Sequence, residues 1–168
     1  MNSTTKESES SLGIRLIDVD HKEIARLIGE LQMTAAESGD RCVTLNILGK
    51  LAAFSRTHFA LEEGLMSATE YPGYAAHRGC HQQLLQQLDG FVSLYSKGEL
   101  ALDRESLDFL FVWYAAHSKH DDAQYASWLA VRDVSPGQID VSKLPAGGWT
   151  SSVMSGKTRS GTPVSRTH

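Results

Sequence analysis

Histidine is the residue type with the clearest chemical potential in this chain of 168 residues, which contains seven of them. Five lie at helical spacing from apolar residues; His21 stands three residues before Ile24, and His117 stands three residues after Tyr114. The other three are His58, His77 and His81. Because residues three or four apart share one face of a helix, we expect all five imidazoles to point toward an apolar interior.

A shared metal site accounts for these imidazoles better than five separate structural roles. A single histidine on an apolar face is more often a core residue with hydrogen-bonded nitrogens. Five of them, with Glu62 four residues after His58, would leave many buried groups unpaired, at about 1–3 kcal/mol each. A small domain has only about 5–15 kcal/mol of stability in total. Imidazole and carboxylate donors suit iron, copper, zinc or nickel. One tetrahedral zinc needs four ligands, so six donors favour two ions.

Four amphipathic helices are predicted to carry these residues. Apolar residues recur at helical spacing in four segments, which are about 18–38, 43–66, 72–96 and 103–129. Asp18 and Asp103 are expected to cap the first and fourth helices, and Gly39 and Gly98 to end the first and third. Tyr71-Pro72-Gly73 reads as a turn, with Pro72 near the first position of the third helix. No segment alternates as strands do. The predicted fold class is all-α, an up-down-up-down four-helix bundle.

The two ends of the chain differ in composition from its middle. Residues 1–12, MNSTTKESESSL, are predicted to be a disordered arm. Residues 133–168 are rich in Ser, Gly, Thr and Pro and are predicted to be a disordered tail. The sequence does not identify a protein partner for this tail. The folded domain is therefore expected to span residues 13–132. His168 falls in the tail and is given no role.

Charge and composition exclude several classes of function. Twenty acidic and sixteen basic residues give a net charge of −4, which argues against nucleic-acid binding. No apolar run is long enough to span a bilayer, so no membrane association is expected. The polar N-terminus shows no signal peptide, and the only two cysteines are too few for a disulfide scaffold. We therefore expect a cytoplasmic location, with Cys80 as a small buried apolar residue.

Four blocks of the sequence resemble those of hemerythrins, specifically the single-domain bacterial type. The blocks are GIRLIDVDHK at residues 13–22, HFALEE from His58, YP at Tyr71 with HRGCH from His77, and WYAAH from Trp113 followed by Asp122. The elements H-x-x-x-E, H-x-x-x-H and H-x-x-x-x-D thus follow one another on successive predicted helices. Each element alone is common, but their order makes the resemblance specific over about residues 13–129.

The resemblance implies a di-iron centre bridged by hydroxide or an oxo group. One iron would be held by three histidines, the other by two, and two carboxylates would bridge them. The implied ligands are His77, His81 and His117 for the first iron, His21 and His58 for the second, and Glu62 and Asp122 as bridges. This set leaves one coordination position open, on the iron with two histidines, where dioxygen would bind.

The implied function is reversible dioxygen binding for transport, storage or scavenging, without catalytic residues. Di-iron oxidases usually have more carboxylate ligands, so the histidine-rich set favours a carrier over an enzyme. A sensor of oxygen or nitric oxide, and a di-iron peroxidase or iron oxidase, are the alternatives.

One implied ligand conflicts with regular helix geometry. Asp122 follows His117 by five residues, about 140° round the helix, whereas Asp121 at four residues would share its face. A single π-helical turn would absorb the extra residue, and such turns favour functional sites. The resemblance implies Asp122 as the ligand, and we follow that spacing; we expect His120 to be exposed.

Four residues are predicted to surround the open position, by their offset from the implied ligands. They are Ile24, Phe59, Trp113 and Tyr114. Family members usually carry an aliphatic residue where Tyr114 stands, three residues before His117. A phenol there would be able to hydrogen-bond the ligand or donate an electron, so we predict faster autoxidation than in a relative with leucine. The segment before Gly13 also lacks a tryptophan that relatives often have there.

Overall fold

The computed structural model describes residues 12–36 and 40–132, and every element within these ranges is helical. The helices are α1 (Arg15–Ala36), α2 (Arg41–Ala68), α3 (Tyr74–Lys97), α4 (Arg104–His117) and α5 (Ala123–Val131), with a π-helical turn at Ser118–Asp122 joining the last two. Because α4, the π turn and α5 run on without a break, they form one long fourth helix. The α4 part of this helix packs on α1, and α2 packs on both α1 and α3. The predicted all-α four-helix bundle is confirmed.

Several of the sequence predictions concern residues outside the described ranges. Residues 1–11 of the predicted arm, Gly39 as a helix end, and the predicted tail with His168 lie outside the described residues. Leu12, which the prediction placed at the end of the arm, packs against a core cluster of the bundle. Within the described ranges, no helix has both the length and the apolar character needed to cross a membrane.

The helix ends show which capping predictions were right. The Asp103 carboxylate accepts a hydrogen bond from the Ser106 backbone N–H at 2.9 Å, so Asp103 caps α4 as predicted. Gly98 ends α3 in the left-handed conformation, with φ of 79°, where glycine carries no steric penalty. Asp18 was wrong as a cap, because it lies within the first turn of α1. Its carboxylate instead accepts from the Leu12 backbone N–H at 2.7 Å and ties the entering chain to the helix.

The link between α2 and α3 contains the predicted turn. Pro72 lies outside α3 rather than at its first position, because Gly73 is the N-cap and the helix begins at Tyr74. A Cβ atom on Gly73 would come within 2.6 Å of the Tyr71 ring. Any larger residue there would displace this aromatic ring, which packs on the core.

The interior consists of two apolar clusters separated by a polar layer. One cluster contains Ile24, Leu27, Ile28, Leu31, Ile47, Leu48, Leu51, Ala52, Leu88, Leu107 and Leu110. The other contains Ile14, Ile17, Leu61, Leu65, Met66, Tyr125 and Leu129. Along α1, the sequence passes from Ile17 in the second cluster through His21 to Ile24 in the first. Burial of both clusters holds the four helices in register and so fixes the polar layer between them.

Candidate metal centre

The polar layer consists of the seven side chains that the sequence predicted as metal ligands. All seven are buried, with 8% or less of their surface exposed. They are His21 on α1, His58 and Glu62 on α2, His77 and His81 on α3, His117 at the end of α4, and Asp122 at the end of the π turn. Spacings of four residues bring His58 and Glu62, and likewise His77 and His81, onto one face of their helices. Each of the four long helices contributes to this single cluster.

Three histidines form one half of the cluster, which we call the three-histidine group (His77, His81 and His117). The Nε2 atoms of His81 and His117 lie 3.1 Å apart. Glu62 Oε2 lies 3.1 Å from His81 Nε2. Asp122 Oδ1 lies 3.1 Å from Nε2 of both His77 and His117. One atom from each of these five residues thus lies within 4.8 Å of all the others.

The two-histidine group (His21 and His58) faces the other oxygens of the same two carboxylates. Asp122 Oδ2 lies 3.2 Å from His21 Nε2. Glu62 Oε1 lies 3.8 Å from His21 Nε2 and 3.5 Å from His58 Nε2. Each carboxylate therefore presents one oxygen to each histidine group.

These side chains fit metal ions, as their unpaired atoms show. Among the described residues, eight buried nitrogen and oxygen atoms of five of these side chains have no hydrogen-bond partner. The atoms belong to His21, His58, Glu62, His77 and Asp122. Each unpaired buried group costs about 1–3 kcal/mol, and cations within the layer would give a partner to all of these atoms except His58 Nδ1, which points outward toward Asp20. Two ligand atoms about 2.1 Å from an octahedral ion and at right angles to one another are about 3.0 Å apart, which matches the recurrent 3.1 Å spacing.

The electrostatics of the cluster also favour a cation. Burial alone would lower the pKa of His58, but the carboxylates of Glu62, Asp20 and Asp122 outweigh burial and raise it. The pKa of His117 is raised in the same way, chiefly by Asp122. The neighbouring imidazoles hold the pKa of Asp122 well below its usual range despite its burial. His58 and His81 likewise lower the pKa of Glu62 despite its burial, so both inner carboxylates stay charged and attract positive charge.

The π turn places Asp122 in the cluster. It adds one residue between His117 and Asp122, so the Asp122 side chain points inward and is 1% exposed. Asp121 stays four residues from His117, and its carboxylate lies 3.1 Å from His117 Nδ1, on the outward side of the ring. The predicted π-helical turn is confirmed, and so is the exposure of His120.

The four predicted pocket residues line one cavity of about 30 Å³ beside the cluster. Its walls are almost entirely apolar and are completed by Ile28, Leu51, Ser55, Leu84, Leu85, Leu88 and Leu110. The Phe59 ring stacks on the imidazole of His81 at 4.1 Å between centroids, and the Tyr114 ring meets His21 edge-on at 5.8 Å. The Tyr114 hydroxyl is buried, and none of the described residues gives it a hydrogen-bond partner.

Sequence reasoning missed the partners of the outward imidazole nitrogens. Glu63 lies 3.1 Å from His81 Nδ1, Ser118 Oγ lies 3.2 Å from His21 Nδ1, and Asp20 lies 3.4 Å from His58 Nδ1. The available signal was adjacency, because each of Glu63, Ser118 and Asp20 is next in sequence to a residue of the cluster. Cys80 also differs from expectation, since it is half-buried rather than buried.

Comparison with known proteins relates this chain to a protein family. The family model described as the hemerythrin HHE cation binding domain matches residues 12–129. Bacteriohemerythrin from Stenotrophomonas maltophilia is 28% identical over 120 residues, covering 71% of this chain and 77% of that protein. Myohemerythrin from Sipunculus nudus is 27% identical over 111 residues, covering 66% and 81%.

Solved structures agree with this placement. A wild-type hemerythrin superposes with a TM-score of 0.68 at 25% identity, over 80% of this chain and 98% of that one. A hemerythrin variant with one leucine replaced by tyrosine gives 0.67 at 27% identity, over 76% and 95%. Because the family model spans well over half of the sequence, this chain belongs to the hemerythrin HHE cation binding domain family.

Proposed function

We propose that this protein binds dioxygen reversibly at a pair of iron ions. The observation that carries the proposal is the position of Glu62 and Asp122 between the two histidine groups, with one oxygen of each carboxylate toward each group. A single ion would leave one oxygen of each carboxylate, and one histidine group, without a partner. Two ions would give every inward donor atom a ligand role.

The same distances support a ligand assignment. The three-histidine group would hold one ion and the two-histidine group the other, with Glu62 and Asp122 bridging. When bound, the ferrous pair would lend two electrons to dioxygen and recover them on release. The two-histidine side has fewer protein donors than the three-histidine side, so dioxygen would bind there.

The composition of the layer supports a carrier rather than an oxidation catalyst. The seven inward side chains comprise five imidazoles and only two carboxylates. Anionic oxygen donors stabilise high-valent iron more than imidazoles do, and di-iron oxidases usually have more of them. The ligand set therefore favours binding and release over substrate oxidation.

The cavity supplies the remaining requirement, which is a dry binding place. Ile24, Phe59 and Trp113 present apolar surface, which excludes the water that promotes loss of superoxide. Tyr114 adds one hydroxyl without a partner among the described residues, beside the two-histidine group. Burial raises the pKa of Tyr114, and nearby carboxylates raise it further, so the phenol stays protonated and able to donate.

The test is anaerobic loading of the full chain with ferrous iron, followed by metal analysis and exposure to air. We expect two irons per chain and a visible charge-transfer band that disappears on deoxygenation. Asp122→Asn should lose the second iron. Asp89→Asn is the matched control, because Asp89 is half-exposed and pairs with Arg56 on the bundle surface. One iron or none in the wild type would refute the proposal, and sustained peroxide turnover with a reducing substrate would favour the peroxidase alternative.

A further inference from the structure

The outward nitrogens of two imidazoles in the three-histidine group each face a carboxylate. Glu63 Oε1 lies 3.1 Å from His81 Nδ1, and Asp121 Oδ2 lies 3.1 Å from His117 Nδ1. Both carboxylates lie outside the polar layer, with their side chains 25% and 33% exposed. Neither belongs to the ligand set proposed above.

A carboxylate fixes which ring nitrogen carries the proton. An ionised carboxylate only accepts hydrogen bonds, so the Nδ1 atom opposite it must be the donor. The lone pair of each ring then resides on Nε2, which in His81 and His117 points into the layer. Such a partner orients the ring and makes its inner nitrogen a stronger ligand.

Local structure explains how these two acidic residues reach their positions. Glu63 follows Glu62 on α2 and so points about 100° away from it, toward α3. There its second oxygen lies 3.5 Å from Arg78 Nε, which helps to hold the carboxylate against His81. In the π turn, two consecutive aspartates take different positions. Asp122 lies inside the layer, and Asp121 lies at the outer nitrogen of His117.

The two-histidine group has weaker outer partners. His21 Nδ1 faces the neutral hydroxyl of Ser118 at 3.2 Å. His58 Nδ1 is 3.4 Å from Asp20 and makes no hydrogen bond to any described residue. Two hydrogen-bonded carboxylates therefore lie at one end of the layer, whereas the other end has a neutral hydroxyl and the more distant carboxylate of Asp20.

We propose that Glu63 and Asp121 are positioning residues that make the three-histidine group the more tightly binding half of the centre. Their negative charge also favours the ferric over the ferrous state, and so lowers the midpoint potential of the iron bound there. The more loosely held ion is then the one in the two-histidine group, where dioxygen would bind. The inference rests on the proposed iron centre and extends it to the order in which the ions are released.

Iron release from the full chain tests this directly. The wild type and the variants Glu63→Gln and Asp121→Asn are loaded with ferrous iron without air and mixed with a coloured ferrous chelator. Amides keep an acceptor oxygen and a similar shape but lose the charge. We expect two release phases in the wild type, and in each variant a slow phase about tenfold faster, the lower end of the usual effect on metal affinity. The midpoint potential of the bound iron should rise in both variants. Asp121→Glu, which keeps the negative charge, should have the potential of the wild type.

The control variant is measured for the same two quantities, the iron release rate and the midpoint potential. Asp89→Asn removes a surface carboxylate that faces no histidine and should match the wild type. Equal slow phases and equal potentials in control and variants would overturn the inference, as would acceleration of the fast phase alone. If Asp121→Asn does not fold, Glu63→Gln decides alone, since Glu63 lies on a different helix. A wild type that loads one iron would refute the two-iron function, yet the release rate of that ion would still decide this inference.

Discussion

Replacing Tyr114 by phenylalanine should strengthen the fold and weaken ligand retention at the same time. The Tyr114 hydroxyl is buried and has no hydrogen-bond partner among residues 12–36 and 40–132. A buried hydroxyl without a partner costs about 1–3 kcal/mol. Phenylalanine keeps the ring, which packs against the apolar cluster and against His21, and removes only the oxygen. The deoxygenated protein should therefore gain about 1 kcal/mol, or roughly 4 °C in melting temperature for a domain of this size.

The opposite effect is expected for the ligand. If the hydroxyl donates to dioxygen in the cavity, its loss removes a hydrogen bond to a partly charged acceptor, worth about 1.5 kcal/mol. That energy corresponds to roughly tenfold faster dissociation. The assays are thermal unfolding of the iron-loaded, deoxygenated chain under argon, and stopped-flow release of dioxygen into an oxygen scavenger.

Tyr125→Phe is the matched control for the stability measurement. Tyr125 is also buried, but its hydroxyl lies 3.1 Å from Thr69 Oγ1. Removing that hydroxyl breaks a hydrogen bond and should destabilise the fold by about 1 kcal/mol. If Tyr114→Phe destabilises the protein as much as Tyr125→Phe does, the hydroxyl has a partner and the reasoning is wrong. Unchanged dioxygen release in Tyr114→Phe would show that the hydroxyl does not contact the ligand.

Three further outcomes are expected. Tyr114→Leu should slow the build-up of ferric protein in air, measured from the absorption spectrum, because it removes the proton donor beside the ligand; an equal rate would contradict this. Iron affinity should fall as the pH is lowered from about 8 toward 6, because the carboxylate neighbours raise the pKa of His58 and His117 above 6.5 and metals bind only neutral imidazole. The same raised pKa values stabilise the metal-free chain below pH 6.5, and this stabilisation is lost as the pH rises through them, so the gain in melting temperature on adding iron should increase with pH. Asp103→Ala should lower the urea concentration at the unfolding midpoint, through loss of the α4 cap; no change would mean that water replaces the cap.

The convergence of the histidines was predictable because it depends on a single local rule. His58 and Glu62 share a face at four residues apart, and so do His77 and His81. Burial of the apolar residues in line with them then points all of these side chains inward. The position of Asp122 required more than that rule, because a regular helix would have turned Asp121 inward instead. Only the family spacing, together with a π turn, predicted the observed geometry.

Adjacency to the cluster residues was the only sequence signal for the outer hydrogen bonds. Glu63 and Asp121 look like ordinary exposed acids, and their roles depend on where α3 and the π turn place the Nδ1 atoms of His81 and His117. Asp18 failed as a predicted cap for a related reason. An aspartate in the first turn of a helix also interacts favourably with its N-terminus, so sequence alone does not distinguish the two positions.

The π turn also constrains how this gene is able to change. If this stretch formed a regular helix with the same number of residues, everything after it would be rotated by about 100°. Asp122 would leave the interior, and Tyr125 and Leu129 would swing away from the cluster they fill. A substitution that forced a regular helix here without removing a residue would thus abolish metal retention and destabilise one end of the bundle together. Natural variants should therefore keep the π turn and its extra residue together, or lose both, which would leave Asp122 four residues after His117 on a regular helix.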